Sequence, residues 1–153
     1  MTETTDNNPN KNTGGCMCGA IRYEATGTPV NSSYCHCNSC RKHTGAPVVM
    51  LVGYKLDQVT FTKGERKIYN SSPGVGRAFC GDCGTPLTWE GEGGDGNGPL
   101  VEFLISTLDD PDANRPQSHS LHAERISWFD TADNLPRYRA FDDEPPYTSE
   151  PAT

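Results

Sequence analysis

Seven cysteines fall in three clusters: Cys16-x-Cys18, Cys35-x-Cys37-x-x-Cys40 and Cys80-x-x-Cys83. Protein zinc is usually tetrahedral, and Zn–S bonds of about 2.3 Å require the thiolates of a pair to converge on one point. A Cys-x-x-Cys turn achieves this because the chain reverses and its backbone N–H groups face the sulfurs. Gly19 after Cys18 and Gly84 after Cys83 supply the freedom in φ that such a knuckle needs. Two knuckles on separate hairpins close a four-thiolate site, which leaves three cysteines. A catalytic zinc typically has three protein ligands and one open position, so seven divides into four and three. Spacing alone does not assign the clusters, although Cys35, Cys37 and Cys40 form a self-contained local group.

Other chemistries fit less well. A thioredoxin-like redox pair needs a βαβ setting, which this chain lacks. Buried inert cysteines would not cluster, and an odd count sits badly with a complete disulfide framework. Iron–sulfur ligation also uses thiolates and is the competing metal reading. In a further alternative, His36, His43 or a distant residue completes the second site and makes it structural too. An open zinc with three thiolates carries a net charge of −1. It is therefore a weak Lewis acid towards a neutral carbonyl and better suited to holding a fourth thiolate. Because zinc lowers a thiol pKa from about 8.5, the chemistry expected is making or breaking a bond at a substrate sulfur.

The elements that must position these ligands are short. Only 33% of the 153 residues are hydrophobic, mean hydropathy is −0.67, and there are 16 glycines and 12 prolines. A thin core with many turns calls for a metal or covalent staple. The formal charge of −7, which thiolate-bound zinc makes more negative, argues against non-specific nucleic-acid binding. It does not exclude a small anion held by a few local basic residues. The start of the chain has no basic and apolar segments of a signal peptide, and no apolar run approaches the roughly 20 residues of a membrane span. A cytoplasmic protein with reduced thiols is expected.

Residues 1–13 and 142–153 read as polar tails, the first disordered, although Tyr147 is able to pack locally. A single domain over 14–141 lies between them. Strands are expected at Ala20–Ala25, Val48–Tyr54, Val59–Thr62, Arg66–Tyr69, Arg77–Phe79, Pro86–Trp89 and Leu100–Thr107. Ile21, Tyr23 and Ala25 share one face, as do Val101, Phe103 and Ile105, with Leu100 and Leu104 opposite. The last strand is thus buried on both faces. Glycine-rich residues 91–98 read as a hairpin loop, and Asn38–Thr44 is the one helical stretch. The fold class is mainly all-β and antiparallel.

Several strings resemble the glutathione-dependent formaldehyde-activating enzyme family, also called the centromere-protein-V family. They are Gly15-Cys16-Met17-Cys18-Gly19-Ala20-Ile21, the run from Cys35 to Pro47, Ser71-Ser72-Pro73-Gly74, and the run from Phe79 to Leu87. Thr107-Leu108-Asp109-Asp110-Pro111, His119, Ser127-Trp128 and Asp133-Asn134-Leu135-Pro136 follow in order. Two departures are Ser120-Leu121 in place of isoleucine and an aromatic, and Asn134 in place of glycine. The resemblance implies an Mss4-like antiparallel β fold pinned by a structural zinc on Cys16, Cys18, Cys80 and Cys83. It places a second, catalytic zinc on Cys35, Cys37 and Cys40, giving two Zn²⁺ per chain. It also implies a carbon–sulfur lyase of the S-hydroxymethylglutathione synthase type, with glutathione as thiol partner and formaldehyde or another small aldehyde as the second substrate. A non-catalytic zinc interaction module on the same fold is the alternative.

Arg41, Lys42 and His43 follow the last cysteine of the triplet. Arg41 and Lys42 are candidates for binding substrate carboxylates, and His43 for placing a proton on the hydroxymethyl oxygen. The competing reading of all three is a solvated basic turn. His36, between two ligands, is expected to point outward without ligating. Trp89, Trp128, Phe103 and Tyr138 are read as core or rim packing.

Overall fold

The alternation of apolar residues along β2 (Arg22–Thr26) and β4 (Val49–Lys55) sets the layering of the molecule. It is seen in a computed structural model that describes residues 10–94, 96–142 and 144–147. A three-stranded antiparallel sheet contains β1 (Lys11–Gly15), β2 and β5 (Val59–Lys63) in the order β1-β2-β5. A seven-stranded sheet contains β3 (Asn31–Cys35), β4, β6 (Lys67–Ser72), β7 (Val75–Phe79), β8 (Pro86–Gly93), β9 (Gly98–Leu104) and β10 (Ser118–Ser120). Its order is β10-β3-β4-β9-β8-β7-β6. All pairings are antiparallel except that of β10 with β3. The single α-helix among the described residues, α1 (Asn38–Thr44), leads from β3 towards β4.

The inward residues of β2 (Tyr23, Ala25, with Ile21 just before the strand) meet Val52 and Tyr54 of β4 and Val101 and Phe103 of β9 in the main core. Phe103 is fully buried and stacks on Tyr23 with ring centroids 3.9 Å apart. The buried Tyr23 hydroxyl is paired with Thr107 Oγ1 at 2.6 Å, which avoids an unsatisfied polar group. A Cβ at Gly14 would collide with Thr107 O and the Tyr23 ring, so this close approach of β1 requires glycine. At the rim, Arg22 pairs with Asp109, and that guanidinium holds the Asp109 carboxyl below its usual range.

The expected mainly β, antiparallel class is the observed one, with local differences. The expected helix is α1. Residues 11–13, assigned to a tail, form part of β1 and pair with 24–26 of β2; residues 1–9 lie outside the described set. β1 and β3 escaped notice because KNTGG and NSSYC carry too few apolar residues for a period-two signal. The strand expected over Leu100–Thr107 ends at Leu104, where a 3₁₀ turn over Ile105–Thr107 begins and Thr107 Oγ1 donates to Leu104 O at 2.7 Å. The glycine-rich hairpin is tighter than expected, since Glu92 pairs with Pro99 and Gly93 with Gly98; Asp95 lies outside the described residues. Trp128, expected to pack, is 77% exposed. At the other end, Tyr147 does pack, against His122 and Arg139; residues 143 and 148–153 lie outside the described set. No helix among the described residues is long and apolar enough to cross a membrane.

Phe103→Ala removes the ring that joins the two sheets. It is expected to destabilise the protein by about 3–5 kcal/mol, read as a lowered urea midpoint at unchanged m-value.

Candidate metal centres

Two turns of similar construction carry the first cluster. Between β1 and β2, the Cys16 N–H donates to Ile21 O and the Gly19 N–H to Cys16 O, both at 3.1 Å, while the Ile21 N–H donates to Cys16 Sγ at 3.2 Å. Between β7 and β8, the Cys80 N–H donates to Thr85 O and the Gly84 N–H to Cys80 O, both at 2.9 Å. Gly19 and Gly84 each have φ of 77°, the left-handed region where glycine is unstrained. The turns belong to different sheets, yet the sulfurs of Cys16, Cys18, Cys80 and Cys83 all lie within 4.8 Å of one another. Cys16 and Cys18 are 3.6 Å apart, and Cys18 and Cys80 are 3.9 Å apart. Bonds of about 2.3 Å to a tetrahedral ion set sulfurs about 3.8 Å apart, so this donor set fits zinc.

Thr85 joins the two turns. Its hydroxyl pairs with Cys83 Sγ at 3.1 Å and accepts the Met17 N–H at 3.1 Å. That hydroxyl is the main reason the Cys83 thiol falls to about 6. A depressed thiol pKa favours the thiolate that a metal requires.

The second cluster is local. Cys35 closes β3, Cys37 caps α1 with its sulfur accepting the Cys40 N–H at 3.3 Å, and Cys40 lies in the first helical turn. Their three sulfurs lie within 4.8 Å of one another. Hydrogen bonds from Cys35 and Cys40 pull the Cys37 thiol down, and those of Cys35 with Cys37 and Cys40 push the Cys35 thiol up. Three thiolates this close repel one another unless a cation joins them, and a three-sulfur donor set of this kind suits a thiophilic metal such as zinc.

The three sulfurs open into a cavity of about 390 Å³ whose wall also carries Arg77, Trp89 and Glu102. Arg77 is buried, its Nη1 donating to Cys40 Sγ at 3.4 Å and its Nε to Ser71 Oγ at 3.1 Å. Burial raises the pKa of Glu102, although its carboxylate accepts a hydrogen bond from Asn31 Nδ2 at 2.9 Å.

The basic residues after Cys40 sit elsewhere. An α-helix turns about 100° per residue, so Arg41 and Lys42 leave the face that Cys40 occupies. Arg41 donates to His36 O and Glu124 O, each at 3.0 Å, and lines no part of the cavity. Lys42 is exposed and likewise outside it. His43 returns towards the Cys40 side but hydrogen-bonds to the Ala78 backbone, and burial lowers its pKa; it does not line the cavity either. His36, expected to point outward, is 2% exposed. Extended chain alternates sides, so with Cys35 and Cys37 facing the cavity, His36 faces the opposite side, against His119 and His122.

Arg77 and Glu102 went unrecognised in the sequence. Each is a charged residue at an inward position of a strand, Glu102 within a strand already read as buried on both faces, and that mismatch is the signal that marks them.

A mainly antiparallel β protein with two separate cysteine clusters able to hold metal is thus defined by fold and site together. Residues 11–124 match the model of the glutathione-dependent formaldehyde-activating enzyme family. The chain belongs to that family. It is also 34% identical over 74 residues to an uncharacterized lyase of Schizosaccharomyces pombe, a match covering 48% of this chain and 53% of that one. The chain therefore aligns with about half the length of this curated relative. A crystal structure of a Rhodobacter sphaeroides protein shares the fold with a TM-score of 0.51 and 20% identity, over 63% of this chain and 87% of that one.

If the clusters are independent metal sites, Cys37→Ser loses about one ion per chain by elemental mass analysis with an almost unchanged unfolding midpoint. Cys83→Ser instead impairs folding, because its cluster joins the two sheets. Loss of the same ion in both variants contradicts the partition.

Proposed function

We propose that the chain is a carbon–sulfur lyase acting on the adduct of a glutathione-like thiol with formaldehyde or another small aldehyde. The observation that carries this reading is a three-sulfur cluster that opens into a cavity sharing its wall with one buried cation, Arg77, and one half-buried carboxyl, Glu102. Family membership and the name of the fission-yeast relative support the lyase class. Cys16, Cys18, Cys80 and Cys83 hold a structural zinc in this account, and Cys35, Cys37 and Cys40 a second one. Zinc at the second site supplies a position for a fourth thiolate and keeps that sulfur deprotonated at neutral pH.

The protein's own groups supply the rest. Arg77 offsets the negative charge gathered by the thiolates around Cys40. Trp89, Leu51 and Leu100 make much of the cavity wall apolar, which excludes water and strengthens the electrostatic interactions inside. In the direction of synthesis, the thiolate sulfur attacks the aldehyde carbon, the C=O π pair moves to oxygen, and Glu102 in its acid form donates the proton. In the reverse direction, the Glu102 carboxylate takes the hydroxyl proton, the C=O bond re-forms and the C–S bond breaks, releasing thiolate. Glu102 suits this role because burial raises the pKa of its carboxyl above the ordinary value. A cavity of about 390 Å³ is within the size range of small-molecule sites.

Glu102→Gln keeps the shape and is expected to lower kcat about 100-fold with glutathione affinity unchanged. The acid form is the active one in synthesis. Activity of the parent protein therefore falls as pH rises through the raised Glu102 pKa, and the variant loses that limb of the profile. Calorimetry with glutathione tests the proposal as a whole. Binding to the zinc-loaded protein that disappears in Cys37→Ser supports it, whereas no binding leaves the non-catalytic module as the better reading.

A further inference from the structure

On the face of β3 opposite the cysteine triplet, three histidines from two distant parts of the chain converge. His36 comes from the β3–α1 junction, His119 from β10 and His122 from a 3₁₀ turn over His122–Glu124. They are 2%, 0% and 0% exposed, and their ring centroids are 4.9 to 5.6 Å apart. One ring nitrogen from each can be chosen so that all three lie within 4.8 Å of one another.

On two of the three rings the nitrogen pointing away from this centre already has a partner. His119 Nε2 lies 3.2 Å from both carboxylate oxygens of Asp133, and His122 Nδ1 is 2.9 Å from the Tyr147 hydroxyl. Asp133 is itself fixed by the Leu135 N–H at 2.9 Å and Arg137 Nη1 at 3.1 Å. Towards the centre, His36 Nε2 and His119 Nδ1 face each other at 2.8 Å, and His122 Nε2 is buried with no hydrogen-bond partner among the described residues. A carboxylate or hydroxyl on the far nitrogen that fixes the ring and aims the near nitrogen at a common point is the arrangement of metal-ligating histidines. A bare histidine core would instead leave His122 Nε2 unsatisfied, at a cost of about 1–3 kcal/mol.

We infer that His36 Nε2, His119 Nδ1 and His122 Nε2 form a third metal site, for a divalent cation of the zinc class. Uncharged imidazole donors suit Zn²⁺ and its neighbours Co²⁺, Ni²⁺ and Cu²⁺. Bonds of about 2.0–2.1 Å to one tetrahedral ion set the nitrogens about 3.3 Å apart. Binding therefore opens the His36–His119 contact by about half an ångström and draws His122 in. Burial lowers the pKa of all three rings, so the cation meets neutral ligands. The site shares no donor atom with the two cysteine clusters and stands independently of the lyase reading. Because His36 lies between Cys35 and Cys37, an ion here braces the triplet from behind.

Cobalt titration of the metal-free full-length chain tests this, because the near-ultraviolet thiolate-to-cobalt band counts the cysteine sites separately. The chain is expected to bind about one equivalent more than saturates that band. His122→Gln loses this extra equivalent with the thiolate band intact, and Asp133→Asn keeps it with affinity about 10–100-fold weaker. Should the His122 variant fail to fold, nitrogen NMR of the parent reads the same site, with the His119 and His122 ring signals shifting when zinc is added. Uptake that ends with the thiolate band, or imidazole signals unmoved by zinc, overturns the inference and leaves a hydrogen-bonded histidine core.

Discussion

The four-sulfur cluster is the constraint from which the rest of the architecture follows. Cys16 and Cys18 belong to a turn of the small sheet, Cys80 and Cys83 to a turn of the large one, and a common ion would hold four otherwise mutually repelling thiolates together. Zinc binding of this kind is worth roughly 10–16 kcal/mol in small domains, comparable to the whole net stability of about 5–15 kcal/mol of an ordinary domain. The apolar contact among Tyr23, Phe103 and their neighbours reinforces the joint. In a chain so poor in hydrophobic residues, a metal held here would act on the same interface as the core. With the β7–β8 turn fixed there, β7 is held so that Arg77 reaches Cys40.

The two cysteine clusters differ in ways that match different tasks. The first has four sulfurs tied into backbone turns and bridged through Thr85, with no charged side chain hydrogen-bonded to a sulfur among the described residues. The second has three sulfurs, a cationic neighbour and a cavity that all three of its cysteines line, whereas Cys83 alone of the first cluster borders a cavity. The number of donors suits the first to a closed metal site, and the surroundings of the second are the ground for the reactivity proposed for it. Trp89 and Glu102, on adjacent strands β8 and β9, are directly paired in register, so the wall of the cavity is built from the rigid centre of the large sheet. Sites on such elements hold their geometry better than sites on loops.

What could be read from the sequence was what is local in it. The cysteine spacings, the glycines after Cys18 and Cys83, α1 and the inward faces of β2 and β9 all follow from neighbours a few positions apart. Arg41, Lys42 and His43 misled because closeness along a helix is not closeness around it. Only Cys40 of that turn faces the cavity. Arg77, Glu102 and the histidine group depend on contacts spanning tens of residues, such as Arg77 with Cys40 and His36 with His119. Their trace in the sequence was a polar residue at a position the strand pattern buries, which marks a residue as unusual without naming its partner. β1 and β3 were missed for the converse reason, since polar and glycine residues fill strands whose place is set by their neighbours in the sheet.

The Cys35, Cys37 and Cys40 site is proposed to take a substrate sulfur as its fourth ligand. Cadmium NMR of the cadmium-loaded protein tests this most directly, because the metal shift rises with the number of bound thiolates. Two thiolate-rich signals are predicted, one from four sulfurs and one from three. Added glutathione should move the second to the four-thiolate region and leave the first in place. A three-sulfur signal that stays fixed at saturating glutathione would contradict the account.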